Sequence, residues 1–127
     1  MLSNCGRSID LGIWSIDLNR LERYYSATST QAIYRNAAKL IPPLMLTSEI
    51  LAILMDKLDL PSGTIHSGQE INSYKLVEPD QYVLGWASSS IPSKRGPWQF
   101  VVIDYRLSDQ TYNLVLMGRT TVMIPGN

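Results

Sequence analysis

Trp98-Gln-Phe-Val-Val-Ile-Asp-Tyr-Arg-Leu107, followed by Ser108-Asp-Gln-Thr-Tyr-Asn-Leu-Val-Leu-Met117, is the stretch that decides the fold class. Apolar side chains alternate along it with a period of two, the repeat of a pleated strand with one buried face. Ser108, Asp109 and Gln110, which suit a tight turn, separate the two runs. The pair reads as an antiparallel hairpin. With a loop of about two or four residues, Leu107 stands opposite Tyr112, and the pairing runs back as Tyr105 with Leu114 and Ile103 with Leu116. One face then collects Val101, Ile103, Tyr105 and Leu107 with Tyr112, Leu114 and Leu116, and this is the expected core.

The opposite face carries Trp98, Phe100, Val102, Asp104 and Arg106 with Asn113, Val115 and Met117. It is polar near the hairpin, where Asp104 and Arg106 lie within reach of each other, and apolar further away. A half-solvated sheet keeps polar residues along its whole outer face. Trp98, Phe100, Val102, Val115 and Met117 therefore call for a cover, expected to be a second copy of the chain or a protein partner.

Working outward, the period of two extends to strands at 73–78, 81–88, 98–107, 111–117 and 119–124, with Gly118 breaking the last pair. Short links favour an antiparallel meander. The first half reads as helical. Thr28-x-x-Gln31 has the spacing of a capping box, and Ile33, Ala37, Leu40 and Ile41 follow at helical intervals, giving a helix at 29–41 that Pro42-Pro43 ends. Thr47 or Ser48 caps a helix at 48–59, with Leu46 and Leu51 spaced as a hydrophobic staple. Ser15 caps another at 15–26, whose Leu18, Leu21 and Tyr25 face the core. Residues 8–13 are an added helical turn or a short strand; alternation across 13–14 changes phase, so a strand needs a bulge there.

The expected architecture is α+β: about three N-terminal helices packed on a curled antiparallel sheet of four to five strands. It forms one domain, with a helical half at 1–63 and a sheet half at 64–127. In architecture alone it resembles cystatin-like and NTF2-like folds, and that resemblance implies a cup for a small apolar ligand.

Eleven basic and eleven acidic residues cancel, and neither half carries an excess. No basic field exists to attract a phosphate backbone, so nucleic-acid binding is not expected. Charged residues make up 17% of the chain, under the usual ~25%, which leans towards an oligomer with a covered face. A single cysteine, Cys5, permits no internal disulfide. Leu2-Ser-Asn-Cys5 lacks the apolar run of an export signal, and Pro42, Pro43 and Glu49 interrupt the apolar stretch at 40–55, so a soluble, cytoplasmic protein is expected.

Chemistry is sparse. His66 is the single histidine and stands in a Thr-Ile-His-Ser-Gly loop without an evident orienting partner. One His and one distant Cys cannot make a metal site, and no cofactor is expected. Phosphate-binding glycine loops and the Gly-x-Ser-x-Gly elbow are absent. Asp104, in an apolar run, is the carboxylate whose surroundings differ most from water. Lys94 and Arg95 belong to the polar loop 88–98, which with Trp86, Trp98, Tyr82 and Asp104 provides candidate ligand contacts. The reading that follows is a non-enzymatic interaction or assembly subunit, such as a structural subunit of a virion or secretion apparatus. The alternatives are the apolar-ligand cup or a small acid–base enzyme using Asp104 or His66.

Overall fold

A computed structural model describes residues 6, 8–27 and 40–126. The order of elements is β1 (Ser8–Trp14), α1 (Leu18–Ala27), α2 (Pro43–Leu58), β2 (Ile65–Ser73), β3 (Val83–Ser89), β4 (Ser93–Arg95), β5 (Trp98–Asp109) and β6 (Leu114–Pro125). All six strands join one antiparallel sheet in the order β1-β3-β5-β6-β2, with β4 added beside the start of β5. The expected α+β class and antiparallel sheet are present. The sheet has one strand more than the upper expectation, and two helices are described. The helix expected at 29–41 lies outside the described residues, apart from Leu40 and Ile41.

Local signals place these elements differently from their expected bounds in four ways. Residues 8–14 are a strand, with the bulge between Asp10 and Gly12 instead of at 13–14. Gly12 takes a positive φ of 81°, and its N–H donates to Asp10 Oδ1 at 2.8 Å, which closes the bulge. Helix α1 is capped by Asp17, whose Oδ1 accepts from the Arg20 N–H at 2.7 Å, so Ser15 lies outside it.

Pro42-Pro43 opens a helix. Pro43 is the first residue of α2, where a missing N–H costs no hydrogen bond. Thr47 and Ser48 are therefore internal. Their hydroxyls donate back to Pro43 O at 2.9 Å and Leu44 O at 3.0 Å instead of capping anything.

Of the expected strand at 73–78, Ser73 ends β2 and Val77 makes an isolated bridge with Ile41, while β6 runs unbroken through Gly118. The strand replacing the expected 73–78 is β2, immediately before it.

The hairpin register also departs from expectation. Leu107 faces Leu116 and Tyr105 faces Gly118, with an irregularity between Leu107 and Ser108. The cause is Asp109. Its Oδ1 accepts from the N–H groups of Thr111 at 3.0 Å and Asn113 at 2.9 Å, building a wide turn in which Tyr112 adopts φ 63°. Tyr112 is thereby turned out to solvent, 72% exposed, instead of facing the core.

The Lys75 ammonium, above all, and these donors hold the Asp109 carboxyl well below the usual carboxylate range. A depressed folded-state pKa gives stability that is complete above the unfolded value and lost as pH falls through the folded one. Urea midpoints should therefore separate wild type from Asp109→Asn by a constant margin between about pH 5 and 8, and the margin should shrink below about pH 4.

The core lies between α2 and one face of the sheet. Val101, Ile103, Tyr105 and Leu107 are buried, as alternation requires, and meet Ile50, Leu54 and Leu58 of α2 in one apolar cluster. Val115 is fully buried in that cluster, because the irregular register at the hairpin turns it away from the outer surface. It offers no surface to a partner, contrary to expectation.

Candidate functional site

The outer face of the sheet shows where most expected site residues fall. Trp98, Phe100, Val102 and Met117 are half-buried within the chain itself. Part of the cover is β4, which pairs with the start of β5 and sets the Arg95 guanidinium 5.5 Å from the centre of the Phe100 ring. Trp86 and Asp104 do come together, lining a shallow cleft of about 400 Å³ with Arg106, Met117 and Arg119. Lys94 and Arg95 do not line that cleft; they lie exposed on β4. Asp104 pairs with Arg119, not Arg106. Register puts those two directly across β5 and β6, and the Arg119 Nε–Asp104 Oδ1 distance is 2.7 Å. The pair is about half exposed on both sides, which gives it little energetic weight.

A larger groove of about 650 Å³ opens on the helix side of the sheet, between α2 and β2. Tyr24 of α1, Leu44, Thr47, Ser48 and Leu51 of α2, and His66, Gln69 and Ile71 of β2 line it. His66 and Gln69 are three positions apart, and that odd spacing would place them on opposite faces of a regular strand. The register shift between His66 and Gly68 corrects this. His66 stands opposite Val122 and Gln69 opposite Thr120, both buried, so both β2 side chains share the helix-facing side. The bulge is what assembles the site.

Beneath the groove lies a chain of hydrogen bonds. Gln69 Nε2 donates to the Tyr105 hydroxyl, which is also bonded to Thr47, and Thr47 donates to Pro43 O at 2.9 Å. Tyr105 reaches Gln69 by lying across β6 at Gly118, whose missing side chain makes room for the ring. Burial raises the Tyr105 pKa, offset in part by its bonds to Gln69 and Thr47, so the hydroxyl keeps its proton at neutral pH.

Next to the groove, and sharing Tyr24 and Ser48 with it, is a recess lined by Arg20, Arg23, Met45 and Glu49. An Arg20–Glu49 ion pair there ties α1 to α2. Among the described residues no cluster of His, Cys, Asp and Glu could hold a metal ion. No helix among them is long and apolar enough to cross a membrane.

β2 itself is an unusual edge. It stands last in the sheet, is nine residues long, and all its residues but Ile71 are exposed. Sequence reasoning missed the strand because its residues, Ile-His-Ser-Gly-Gln-Glu-Ile-Asn-Ser, do not alternate. The Ser67-Gly68 pair at the bulge was the available signal.

No family model matches the chain. No curated protein matches it either. Solved structures do. An (R)-hydratase from A. caviae involved in PHA biosynthesis superposes with a TM-score of 0.73 at 16% identity, over 95% of this chain and 96% of its own. The HadBC (3R-hydroxyacyl-ACP dehydratase) complex from Mycobacterium tuberculosis gives 0.70 at 14% identity, over 95% and 97%. A MaoC-like dehydratase from Rhodospirillum rubrum gives 0.74 at 13% identity, over 97% and 93%. These neighbours overturn the expectation of a non-enzymatic, structural assembly subunit, since these three, which share the architecture nearly end to end, are a hydratase and two dehydratases. They also replace the cystatin-like and NTF2-like comparison. At these identities the likeness is one of fold, and the fold is the MaoC-like hotdog: an antiparallel sheet packed against a long central helix.

Proposed function

We propose that this chain is a subunit of an acyl-thioester hydratase or dehydratase, which interconverts a 3-hydroxyacyl thioester and the 2-enoyl thioester plus water in the groove between α2 and β2. The observation that carries the reading is the bulge-made pairing of His66 with Gln69 on the helix-facing side of β2, inside a groove of about 650 Å³. The apolar flank of Leu44, Leu51 and Ile71 suits an acyl chain. His66 is the groove side chain whose imidazole can act as general base and general acid. In the dehydration direction its imidazole takes the Cα proton, the electron pair forms the Cα–Cβ double bond, and the 3-hydroxyl leaves as water on receiving that proton. The first turns of α2 supply Leu44, Thr47 and Ser48 to the groove, so the positive end of the helix dipole lies on the side where enolate charge develops.

The chain works as a pair in this reading. The free edge of β2 borders the groove, and an exposed strand of nine residues is a template for antiparallel pairing with a second β2. Light scattering at micromolar concentration should give twice the mass of one chain. Glu70→Lys combined with Asn72→Lys should shift it to one, because like charges then face each other along the seam.

One observation favours a second reading. No carboxylate lines the groove among the described residues, and one neighbour is itself a two-component complex. A different hotdog subunit would then contribute the acid–base group while this chain holds the substrate. The test of both is hydration of a trans-2-enoyl-CoA by the purified chain, followed by loss of enoyl absorbance. Turnover by the chain alone supports the first reading. Binding without turnover supports the second, and neither binding nor turnover defeats both.

A further inference from the structure

We infer that the recess beside the groove holds the phosphate of the 4′-phosphopantetheine arm on which acyl thioesters are carried, with Arg23 as its main contact and Arg20 in support. The inference rests on the groove being the acyl-thioester site.

Its basis is where the two chambers place their fixed charge. Among the described residues no carboxylate, lysine or arginine lines the groove. The recess, of about 380 Å³, is lined by Arg20, Arg23 and Glu49 with Tyr24, Met45 and Ser48. Tyr24 and Ser48 line both chambers, so one ligand can occupy the two at once. Two guanidiniums meet one carboxylate in the recess, which leaves it a positive charge in a chain whose charges cancel overall.

The fold also sets how these charges face. Arg20 and Arg23 stand three positions apart on α1, on neighbouring parts of one helix face. Glu22 falls on another face and does not line the recess. Glu49 of α2 holds Arg20, whereas Arg23 is exposed and makes no ion pair among the described residues. A free guanidinium offers a planar fork of donors that matches phosphate oxygens.

The size of the carrier fixes which end of the substrate reaches the recess. Coenzyme A and carrier proteins both attach the acyl group through the same phosphorylated pantetheine arm, and both are too bulky to leave solvent. The acyl chain takes the apolar flank of Leu44, Leu51 and Ile71. The arm must then leave the groove towards solvent, and the adjoining recess with its exposed Arg23 offers the cationic contact on that side.

The experiment is calorimetric titration of the chain with butanoyl-pantetheine and butanoyl-4′-phosphopantetheine. The two differ only in the phosphate, and a saturated acyl group cannot be hydrated during the measurement. Wild type should bind the phosphorylated form about three- to tenfold more tightly, and the ratio should shrink in about 0.5 M salt. Arg23→Gln should bring the ratio towards one. Glu49→Gln removes the carboxylate that competes for Arg20 and should raise the ratio, which a merely structural role for that ion pair would not do. Thermal melting of each variant separates loss of fold from loss of binding, and Arg23→Gln carries the test if Glu49→Gln does not fold. Two further ligands distinguish the sources of the arm. Butanoyl-CoA binding at least as tightly as the phosphopantetheine thioester supports the inference with coenzyme A as carrier. Weaker binding of butanoyl-CoA, with tight binding of a butanoyl-loaded carrier protein, supports it with the protein as carrier. Equal binding of the first two ligands by wild type overturns the inference and leaves the acyl-thioester reading standing, as does a ratio that a folded Arg23→Gln leaves unchanged. If wild type binds none of these thioesters, both fall.

Discussion

His66→Ala is expected to lower kcat for enoyl-thioester hydration by about 10²–10⁴-fold, with KM changed less than threefold or so. The size follows from what else the groove contains. Thr47 and Ser48 have committed their protons to the carbonyls of Pro43 and Leu44, and Gln69 has committed its amide to Tyr105. None of these groups can take over a proton from carbon at neutral pH. KM should hold because the acyl chain packs on Leu44, Leu51 and Ile71, which the substitution leaves in place. His66 is also exposed on an edge strand, so its removal opens no cavity, and the melting temperature should stay within a degree or two of wild type. A variant that still turns over at the wild-type rate overturns His66 as the proton carrier.

How far the sequence discloses this site depends on which physical signal each residue carries. Val101, Ile103, Tyr105 and Leu107 were legible as core, because alternation is a local property that survives any error in pairing. Their partners were not. Register depends on the turn, and Asp109 accepts from both Thr111 and Asn113, which makes the turn wider than a simple two-residue loop. A shift there exchanges Tyr112 for Leu116 opposite Leu107 and sends Val115 from the expected interface into the core.

Pro42-Pro43 was legible as a boundary but not as to its side, since a proline both stops a preceding helix and suits the first position of the next. His66 was visible as a lone histidine. That it joins Gln69 was not visible, because a bulge breaks the periodicity on which face assignment relies. The partner of Asp104 was hidden for a related reason. The sheet pairs Asp104 with Arg119, fifteen residues away, and no local pattern encodes that. The outer-face anomaly was real in the sequence. It is partly met inside the chain by β4 and the Arg95–Phe100 contact.

Gly118→Ala should be among the most destabilising single-methyl additions possible in this chain, at about 3 kcal/mol. Read as a strand break, Gly118 lies instead in the middle of β6, opposite Tyr105 on one side and Ile71 on the other. Its φ is not positive, so the need for glycine here is spatial, not conformational. A Cβ built on it would stand inside the van der Waals envelope of Tyr105 Cζ and Oη. The ring cannot retreat, because Tyr105 is 3% exposed and packed in the core cluster. The clash also strikes the hydroxyl that holds Gln69. A double-mutant cycle isolates the cause. Tyr105→Leu alone costs core packing, about 1–3 kcal/mol, but it removes the atoms that the new methyl would strike. Gly118→Ala combined with Tyr105→Leu should therefore lose less than the sum of the two single losses, by about 1–3 kcal/mol. Urea unfolding of the four proteins measures that coupling. If the losses simply add, the ring does not occupy the space above Gly118, and the route by which Tyr105 reaches Gln69 must be a different one.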